Sequence, residues 1–269
     1  MSKRQDNPHK IAEVIRAIIG KTDKKYFTSA VILAAGSSRR MGGSSTKQFL
    51  EVNGIPVVAR TLMEFENSAL IDEIIVVAKA DEIEKYSDFP QKYGIKKTFK
   101  VIEGGETRQE SARCGVDAVD EKSKFIAIHD AARCLITEEM IEKVCHGAYL
   151  NGGAILAIKA IDTVKIGDKN NFIESTPERA LTWQAQTPQV FKVNAFRAAT
   201  YIARDEKFEG TDDASLLEHI RIPVKLIEGS RENIKVTEPI DVYLAEAILK
   251  SRAEASMVEK DTDSKEIES

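Results

Sequence analysis

The chain has 269 residues, 42% of them hydrophobic, and its 39 Lys and Arg against 43 Asp and Glu give a formal net charge of −4. This balance excludes a global basic field that would attract nucleic acid or an anionic membrane, so any phosphate binding must be local. The three cysteines have no CxxC spacing, which argues against both a disulfide framework and a structural zinc site.

The two ends of the chain differ from its middle. Residues 1–28 carry apolar residues at helical spacing, which predicts an amphipathic helix from Pro8 to Gly20 ahead of the body. Residues 251–269 are rich in Glu, Lys, Asp and Ser, a composition that predicts a disordered tail. Residues 29–250 are predicted to form a single domain. Because neither a long apolar run nor a signal-peptide pattern is found, we expect a cytoplasmic protein with no membrane partner.

The first buried strand, Ala30–Ala34, runs directly into a loop of small and basic residues. Small residues such as Gly36 let backbone N–H groups approach an anion, while Arg40 and Lys47 supply charge for phosphate oxygens. The loop has no Gly-Lys-Ser/Thr ending, so it is not a P-loop, and Gly36 lacks the companion glycines of a dinucleotide fingerprint. The pattern therefore favours a nucleoside triphosphate over hydride transfer or ordinary ATP hydrolysis.

Short apolar runs alternate with helical patterns along the rest of the chain. Strands are predicted at Ala30–Ala34, Glu73–Ala78, Thr98–Ile102, Lys124–Ile128, Ala154–Ile158 and Val224–Ile227. Helices are predicted at Val57–Phe65, Glu82–Tyr93, Arg108–Val119, Glu138–Tyr149, Val193–Ala203 and Pro239–Leu249. This alternation predicts an α/β fold, a three-layer Rossmann-like sandwich with a mainly parallel sheet. In such sheets ligands bind beyond the carboxyl ends of the strands.

Two motifs stand at such strand ends. Residues 103–111 contain two adjacent glycines, which allow the backbone to face a flat base, and end on the hydroxyl of Ser111. Residues 129–133 read His-Asp-Ala-Ala-Arg, in which Asp130 suits a hydrated Mg²⁺ or a sugar hydroxyl and Arg133 suits a phosphate. We expect His129 to be hydrogen-bonded within its loop, because transfer from an ionised phosphate needs no proton removed.

Residues 162–176 interrupt the alternation. Two short apolar-polar stretches flank Gly167-Asp168-Lys169-Asn170, which predicts a projecting β-hairpin arm with a polar turn. A hairpin exposed on both faces is marginal alone, and crossing a second copy of itself in a homodimer is the simplest way to cover it.

Six motifs, in order and kind, resemble the 2-C-methyl-D-erythritol 4-phosphate cytidylyltransferase family. They are the loop from Ala34 to Met41 with Lys47-Gln48-Phe49-Leu50, residues 103–111, residues 129–133, Gln186-Thr187-Pro188-Gln189, Thr211-Asp212-Asp213-Ala214-Ser215 and residues 228–237. The family usually has proline where this chain has Cys134. The resemblance implies an enzyme of non-mevalonate isoprenoid synthesis that joins CMP from CTP to 2-C-methyl-D-erythritol 4-phosphate, releases pyrophosphate, requires Mg²⁺ or another divalent cation, and is a homodimer with exchanged arms.

The resemblance also implies roles for individual residues. Arg40 and Lys47 would bracket the triphosphate, while Arg179 and Lys235 would hold the incoming monophosphate for attack on the α-phosphorus. The residues expected around CTP are Ala34, Ala35, Gly36, Gly105, Glu106 and Ser111. Those expected around the acceptor are Asp130, Arg133, Thr163 and Thr187. The metal would be held mainly by the CTP phosphates, with Asp130 as a candidate ligand, and the arm residues Thr163 and Arg179 would serve the neighbouring subunit.

Two alternatives stay open at this point. D-Ribitol-5-phosphate cytidylyltransferases share the loop, the fold and the reaction, and only a comparison of the two acceptors separates them. A non-catalytic nucleotide-binding protein would keep the fold and lose the chemistry. Against it, the chain retains every cation that the mechanism demands, from Arg40 and Lys47 to Arg179 and Lys235.

Overall fold

The structure, a computed structural model, describes residues 26–36 and 47–267. The helix expected from Pro8 to Gly20 lies outside the described residues. A seven-stranded sheet forms the centre, in the order β11-β7-β10-β6-β1-β4-β5. Its strands are β1 (Thr28–Leu33), β4 (Glu73–Ala78), β5 (Thr98–Glu103), β6 (Phe125–Asp130), β7 (Gly153–Lys159), β10 (Trp183–Lys192) and β11 (Lys225–Glu228). All run parallel except β10, so six carboxyl ends share one edge.

The mainly parallel α/β sheet confirms the predicted fold class, and one of its seven strands, β10, was not predicted. Strand β10 inserts between β6 and β7 and pairs antiparallel with both. Its sequence around Gln186-Thr187-Pro188 is polar and contains a proline, a pattern that ordinarily excludes a central strand. The ladder with β7 accommodates it because the register shifts between Ala185 and Gln189.

Helices cover both faces of the sheet. They are α1 (Val57–Asn67), α2 (Phe89–Tyr93), α3 (Arg108–Ala118), α4 (Glu138–Asn151), α5 (Val193–Asp205), α6 (Asp213–His219) and α7 (Pro239–Ile267). Alternate residues of a strand enter opposite cores: Ile32 packs with the α1 and α4 layer, whereas Val31 packs with α3 and α5. This alternation makes the three layers of the predicted sandwich.

Two helical expectations need correction. The helix predicted over 82–93 is instead a 3-10 helix, Ala80–Tyr86, followed by α2, because Pro90 is tolerated only in the first turn of a helix. The predicted disordered tail is wrong over residues 251–267, where α7 continues to Ile267. That segment has no glycine or proline, and Arg252 anchors it by donating to the Glu232 carboxylate (2.8 Å) and the Leu135 carbonyl (3.0 Å).

The arm is present and shorter than predicted. Strands β8 (Ile166–Gly167) and β9 (Ile173–Ser175) pair across a turn in which Asp168 Oδ1 accepts hydrogen bonds from two backbone N–H groups. The remaining strands, β2 (Glu51–Val52) and β3 (Ile55–Pro56), form a separate small ladder. Within residues 26–36 and 47–267, no helix is both long and apolar enough to cross a membrane.

Candidate active site

A cavity of about 470 Å³ opens at the edge where the parallel strands end. Five of the six strand ends contribute to it: Ala34–Gly36 follow β1, Lys79 follows β4, Gly105 follows β5, Asp130 ends β6, and Lys235 lies on the loop after β11. The lining residues are Leu33, Ala34, Ala35, Gly36, Gln48, Lys79, Gly105, Glu106, Thr107, Arg108, Ser111, Asp130, Ala131, Ala132 and Lys235. The cavity thus gathers all six residues predicted around CTP, together with Asp130 and Lys235.

The turn between β5 and α3 requires its two glycines for close packing. A Cβ at Gly104 would lie 2.7 Å from Ser111 Oγ, and a Cβ at Gly105 would lie 2.3 Å from Glu110 Cβ. Glu110 cannot retreat, because it forms a reciprocal capping box with Thr107 at the start of α3. The glycines therefore let this turn pack closely against the first turn of α3.

Asp130 is the electrostatic centre of the cavity. Its carboxylate is nearly buried, with Oδ2 2.7 Å from Lys235 Nζ and Oδ1 3.2 Å from Arg108 Nε. Burial alone would raise the pKa of Asp130, but Arg108 and Lys235 outweigh it and hold that pKa well below its ordinary value. The carboxylate is therefore ionised at neutral pH.

Arg108 was not among the predicted site residues. It binds Asp213 through two parallel hydrogen bonds, Nη1 to Oδ1 (2.9 Å) and Nη2 to Oδ2 (2.7 Å). Burial would lower the pKa of Arg108, and the two carboxylates raise it instead. One sequence signal was available: Arg108 is the first residue of α3, and a cation at a helix N-terminus is unfavourable unless another group compensates it.

His129 is held as a neutral imidazole directly behind the cavity. The Arg133 carbonyl can only accept, so His129 Nε2–H donates to it (3.2 Å), and in the neutral ring Nδ1 is the acceptor. Thr187 Oγ1 accepts from the Asp130 N–H (3.1 Å) and donates its own hydrogen to Nδ1 (3.0 Å). Burial lowers the pKa of His129 to about 3. The expectation that this histidine is hydrogen-bonded within its loop is confirmed.

Arg133 and Thr187 stand beside the cavity and connect two loops with strand β10. Arg133 Nη1 donates to the Asn233 carbonyl (2.7 Å), and Asn233 Nδ2 donates to the Thr187 carbonyl (3.0 Å). The loops after β6 and β11 are thereby tied to β10. Within the part of the chain that the structure describes, Arg133 Nε is buried without a hydrogen-bond partner.

The residues that follow β1 are described only in part. Arg40 lies outside the described residues, and Lys47 opens the short 3-10 helix Lys47–Phe49. The next residue, Gln48, is buried against the cavity and donates through Nε2 to the Ala34 carbonyl. The backbone of Lys47 is therefore adjacent to the loop that lines the cavity.

Thr163 and Arg179 are on the arm side of the molecule. Both are exposed and neither lines the cavity of its own chain. Arg179 begins a 3-10 helix, Arg179–Leu181, and its Nη1 donates only a long hydrogen bond, 3.4 Å, to the Ile161 carbonyl. A single chain does not bring these two residues to the other predicted site residues.

Asp130 and Asp213, the two buried carboxylates beside the cavity, do not fit a direct Mg²⁺ site. Both oxygens of Asp130 are occupied by cationic side chains, and Asp213 gives both of its oxygens to Arg108. Among residues 26–36 and 47–267, no group of three or more His, Cys, Asp or Glu is placed to hold a metal ion. Asp130 is a counter-ion to Lys235 and Arg108.

Comparison with known proteins matches this chain to one family over nearly the whole sheet domain. The model of the family described as 2-C-methyl-D-erythritol 4-phosphate cytidylyltransferase (IspD) matches residues 28–251. Proteins of that name from Caldanaerobacter subterraneus and Syntrophus aciditrophicus are 42% and 40% identical, over 82% of this chain and 98% and 95% of theirs. The crystal structure of 4-diphosphocytidyl-2C-methyl-D-erythritol synthase from Anaerococcus prevotii aligns with a TM-score of 0.76 and 33% identity, covering 84% of this chain and 100% of that one.

Proposed function

Since this chain belongs to the 2-C-methyl-D-erythritol 4-phosphate cytidylyltransferase family, we propose that it transfers CMP from CTP to 2-C-methyl-D-erythritol 4-phosphate at the cavity above β1, β5 and β6. The products are 4-diphosphocytidyl-2-C-methyl-D-erythritol and pyrophosphate. The observation that supports this location is that motifs far apart in the chain, from Ala34 to Lys235, line one cavity at the carboxyl edge of the sheet.

The reaction is an in-line displacement at phosphorus. An oxygen of the acceptor monophosphate attacks the α-phosphorus of CTP, a new P–O bond forms, and the bond to the bridging oxygen breaks as pyrophosphate leaves with that electron pair. The acceptor phosphate, the α-phosphate and the leaving pyrophosphate are all negatively charged, so the barrier comes largely from their repulsion and from incorrect orientation. Cationic side chains held in fixed positions reduce both contributions. We assign Arg40 and Lys47 to the triphosphate and its developing charge.

Recognition of the base is assigned to the turn after β5. Backbone groups at Gly105 and Glu106 and the Ser111 hydroxyl border the cavity beside Ala34–Gly36. We propose that these groups form hydrogen bonds with the polar edge of cytosine. A different base would leave some of them without a partner, and this cost would favour CTP over the other nucleotides.

The acceptor is assigned to the opposite side of the same cavity. Lys235 would bind the monophosphate, and Asp130 holds Lys235 in place and can accept from a polyol hydroxyl. Arg133 and Thr187, which stand beside the cavity, are proposed to contact the acceptor from there. The divalent cation on which the family depends is proposed to be Mg²⁺ carried by the phosphate oxygens of CTP, since Asp130 and Asp213 are already paired with Lys235 and Arg108.

The arm is proposed to complete the site of a second subunit. Thr163 and Arg179 lie outside their own cavity, and the arm and the 3-10 helix that follows it expose large apolar side chains: Phe172 is 72% exposed, Ile173 66% and Leu181 73%. A homodimer that exchanges arms would cover those side chains and bring Arg179 to the partner's acceptor pocket.

The direct test is pyrophosphate release by the purified full-length protein with Mg²⁺ and CTP. We expect release with 2-C-methyl-D-erythritol 4-phosphate and little with D-ribitol 5-phosphate, or with ATP, GTP or UTP as donor. Lys235→Met should abolish most of the acceptor-dependent rate, while Lys225→Met, at an exposed lysine of β11, serves as the matched control. Preference for ribitol phosphate would reject the acceptor, and CTP binding without release would favour the non-catalytic alternative.

Sharing of the site is tested by mixing two inactive variants. Arg179→Ala and Lys47→Ala should each be inactive as homodimers. After subunit exchange, a mixed dimer has one cavity with both defects and one with neither, so an equal mixture should recover about a quarter of wild-type turnover. No recovery in a mixture shown to contain mixed dimers would exclude arm exchange.

A further inference from the structure

Arg108 borders the cavity, yet the roles assigned above do not use it. Its guanidinium is divided between two carboxylates, with Nη1 and Nη2 on Asp213 and Nε on Asp130. A guanidinium already paired with two carboxylates is a poor phosphate ligand, because its charge is more than neutralised locally. Its contacts instead make Arg108 a bridge between Asp130 and the body of the protein.

Asp213 is a fixed anchor for that bridge. It is fully buried, and its neighbour Asp212 caps α6 by accepting from the Ser215 N–H (3.0 Å). Gln189 on β10 secures the same turn, since its Oε1 accepts from the Ala214 N–H (2.9 Å) and its Nε2 donates to Asp212 (2.9 Å). The two adjacent aspartates therefore do different work, the first capping the helix and the second binding Arg108.

The four side chains Asp213, Arg108, Asp130 and Lys235 form a row of alternating charge, which we call the charge row. Each contact in the row is 3.2 Å or shorter. Asp130 is backbone-fixed at the end of β6, so its side-chain orientation depends on the cations at its two oxygens. With Arg108 absent, both oxygens would be available to Lys235, and Asp130 would compete with an incoming phosphate for that ammonium group.

We propose that Arg108 and Asp213 are positioning residues for the transfer reaction: Asp213 anchors Arg108, and Arg108 holds one oxygen of Asp130 so that Lys235 is presented to the acceptor phosphate. The inference rests on the proposed function for the identity of the acceptor. The inference predicts different effects on the two substrates. Because the charge row ends at Lys235, on the acceptor side of the cavity, its loss should weaken binding of the acceptor and leave binding of CTP nearly unchanged.

Steady-state kinetics with each substrate varied in turn tests this inference. Asp213→Asn preserves volume and removes the charge, and we expect it to raise the acceptor KM by about 10- to 100-fold, the scale of a misplaced binding group, with the CTP KM within about twofold. Arg108→Lys, which cannot form the fork, should behave similarly. The matched control is Asp117→Asn, on the same helix as Arg108. It also removes the charge of an ion-paired aspartate, but Asp117 faces Arg113 and Arg197, away from the cavity.

A double variant separates positioning from stability. Arg108→Met with Asp213→Leu replaces the pair by apolar groups, a change that often restores stability once both charges are gone. We expect the thermal midpoint to return toward wild type while the acceptor KM stays raised. Return of both quantities would show that the pair only stabilises the fold and would overturn the inference, as would equal increases in both KM values.

Binding of inorganic phosphate, followed by ³¹P NMR, gives a readout that does not need turnover. Weaker phosphate binding in Asp213→Asn than in Asp117→Asn would support the charge row even if the wild-type protein failed to use 2-C-methyl-D-erythritol 4-phosphate, a result that would reject only the proposed function. Equal phosphate binding in the two variants would overturn the inference whatever the turnover.

Discussion

The buried histidine behind the cavity makes a quantitative prediction about pH and stability. His129 is completely buried between Thr187 and the Arg133 carbonyl, and its pKa falls from 6.5 to about 3. Below pH 6.5 the unfolded chain therefore binds a proton that the folded protein does not. The sign follows directly: stability from this group is complete above pH 6.5 and is lost as pH falls toward 3.

The magnitude follows from linkage. In the steep part of this range the free energy of unfolding changes by about 1.4 kcal/mol per pH unit for one proton. Between pH 7 and pH 5, allowing for partial protonation of the unfolded chain near pH 6.5, the loss is about 2 kcal/mol. This figure depends little on the folded pKa as long as that pKa stays below about 4.

Urea unfolding of wild type and His129→Gln at pH 7, 6 and 5 measures this effect. Glutamine retains hydrogen-bonding groups and does not titrate, and every other ionisable group is common to the two proteins. The variant should be less stable at pH 7, where it loses the fitted imidazole, and the gap should close by about 2 kcal/mol at pH 5. Parallel pH dependences in the two proteins would refute the assignment of a neutral, buried His129.

Three further predictions concern the loops around the cavity. Arg40→Ala and Lys47→Ala should each reduce turnover by a few orders of magnitude, the scale of losing a preorganised charge donor. The circular dichroism spectrum should stay unchanged, and near-normal turnover in either variant would remove the role assigned to that residue. Gly105→Ala forces a Cβ to within 2.3 Å of Glu110 Cβ, so the turn must shift, and we expect the CTP KM to rise at least about tenfold while the acceptor KM changes less. An unchanged CTP KM would mean that this turn does not contact CTP. Arg252→Met removes the hydrogen bonds from α7 to the two loops beside the cavity. Thermal unfolding should show that the free energy of unfolding falls by about 1 kcal/mol, a small value because the Arg252–Glu232 pair is partly exposed. No loss would mean that α7 is held by its apolar face alone.

Local patterns were enough for most of the sheet and for part of the site. Strand β4, Glu73–Ala78, has the bounds predicted from its apolar run, which covers all of the strand except Glu73. A strand buried on both faces of a parallel sheet is recognised from such a continuous run alone. The cavity loops after β1, β5 and β6 were likewise located from small residues and glycines that directly follow such runs. These signals lie within a few residues of one another along the chain.

What sequence patterns missed depends on contacts between distant residues. Strand β10 contains Pro188 and polar neighbours, and it is a strand because β6 and β7 pair with it from both sides. Strand propensity is a weak prior there, and tertiary pairing overrides it. The extension of α7 to Ile267 has a local basis instead: residues 251–267 contain no glycine or proline, although their polar composition predicted disorder.

From local spacing and residue type, the sequence by itself predicted the order of most strands and helices and a phosphate-binding role for the first loop, and it carried the family resemblance. Only the tertiary structure decided that Arg108 meets Asp213, 105 residues away, and that Asp130 is shared between Arg108 and Lys235. It also decided that Thr163 and Arg179 stay outside their own cavity. The physical reason is that charge pairing in a cavity depends on which loops the sheet brings to one edge. Positions along the chain do not reveal how close residues on different loops are in space.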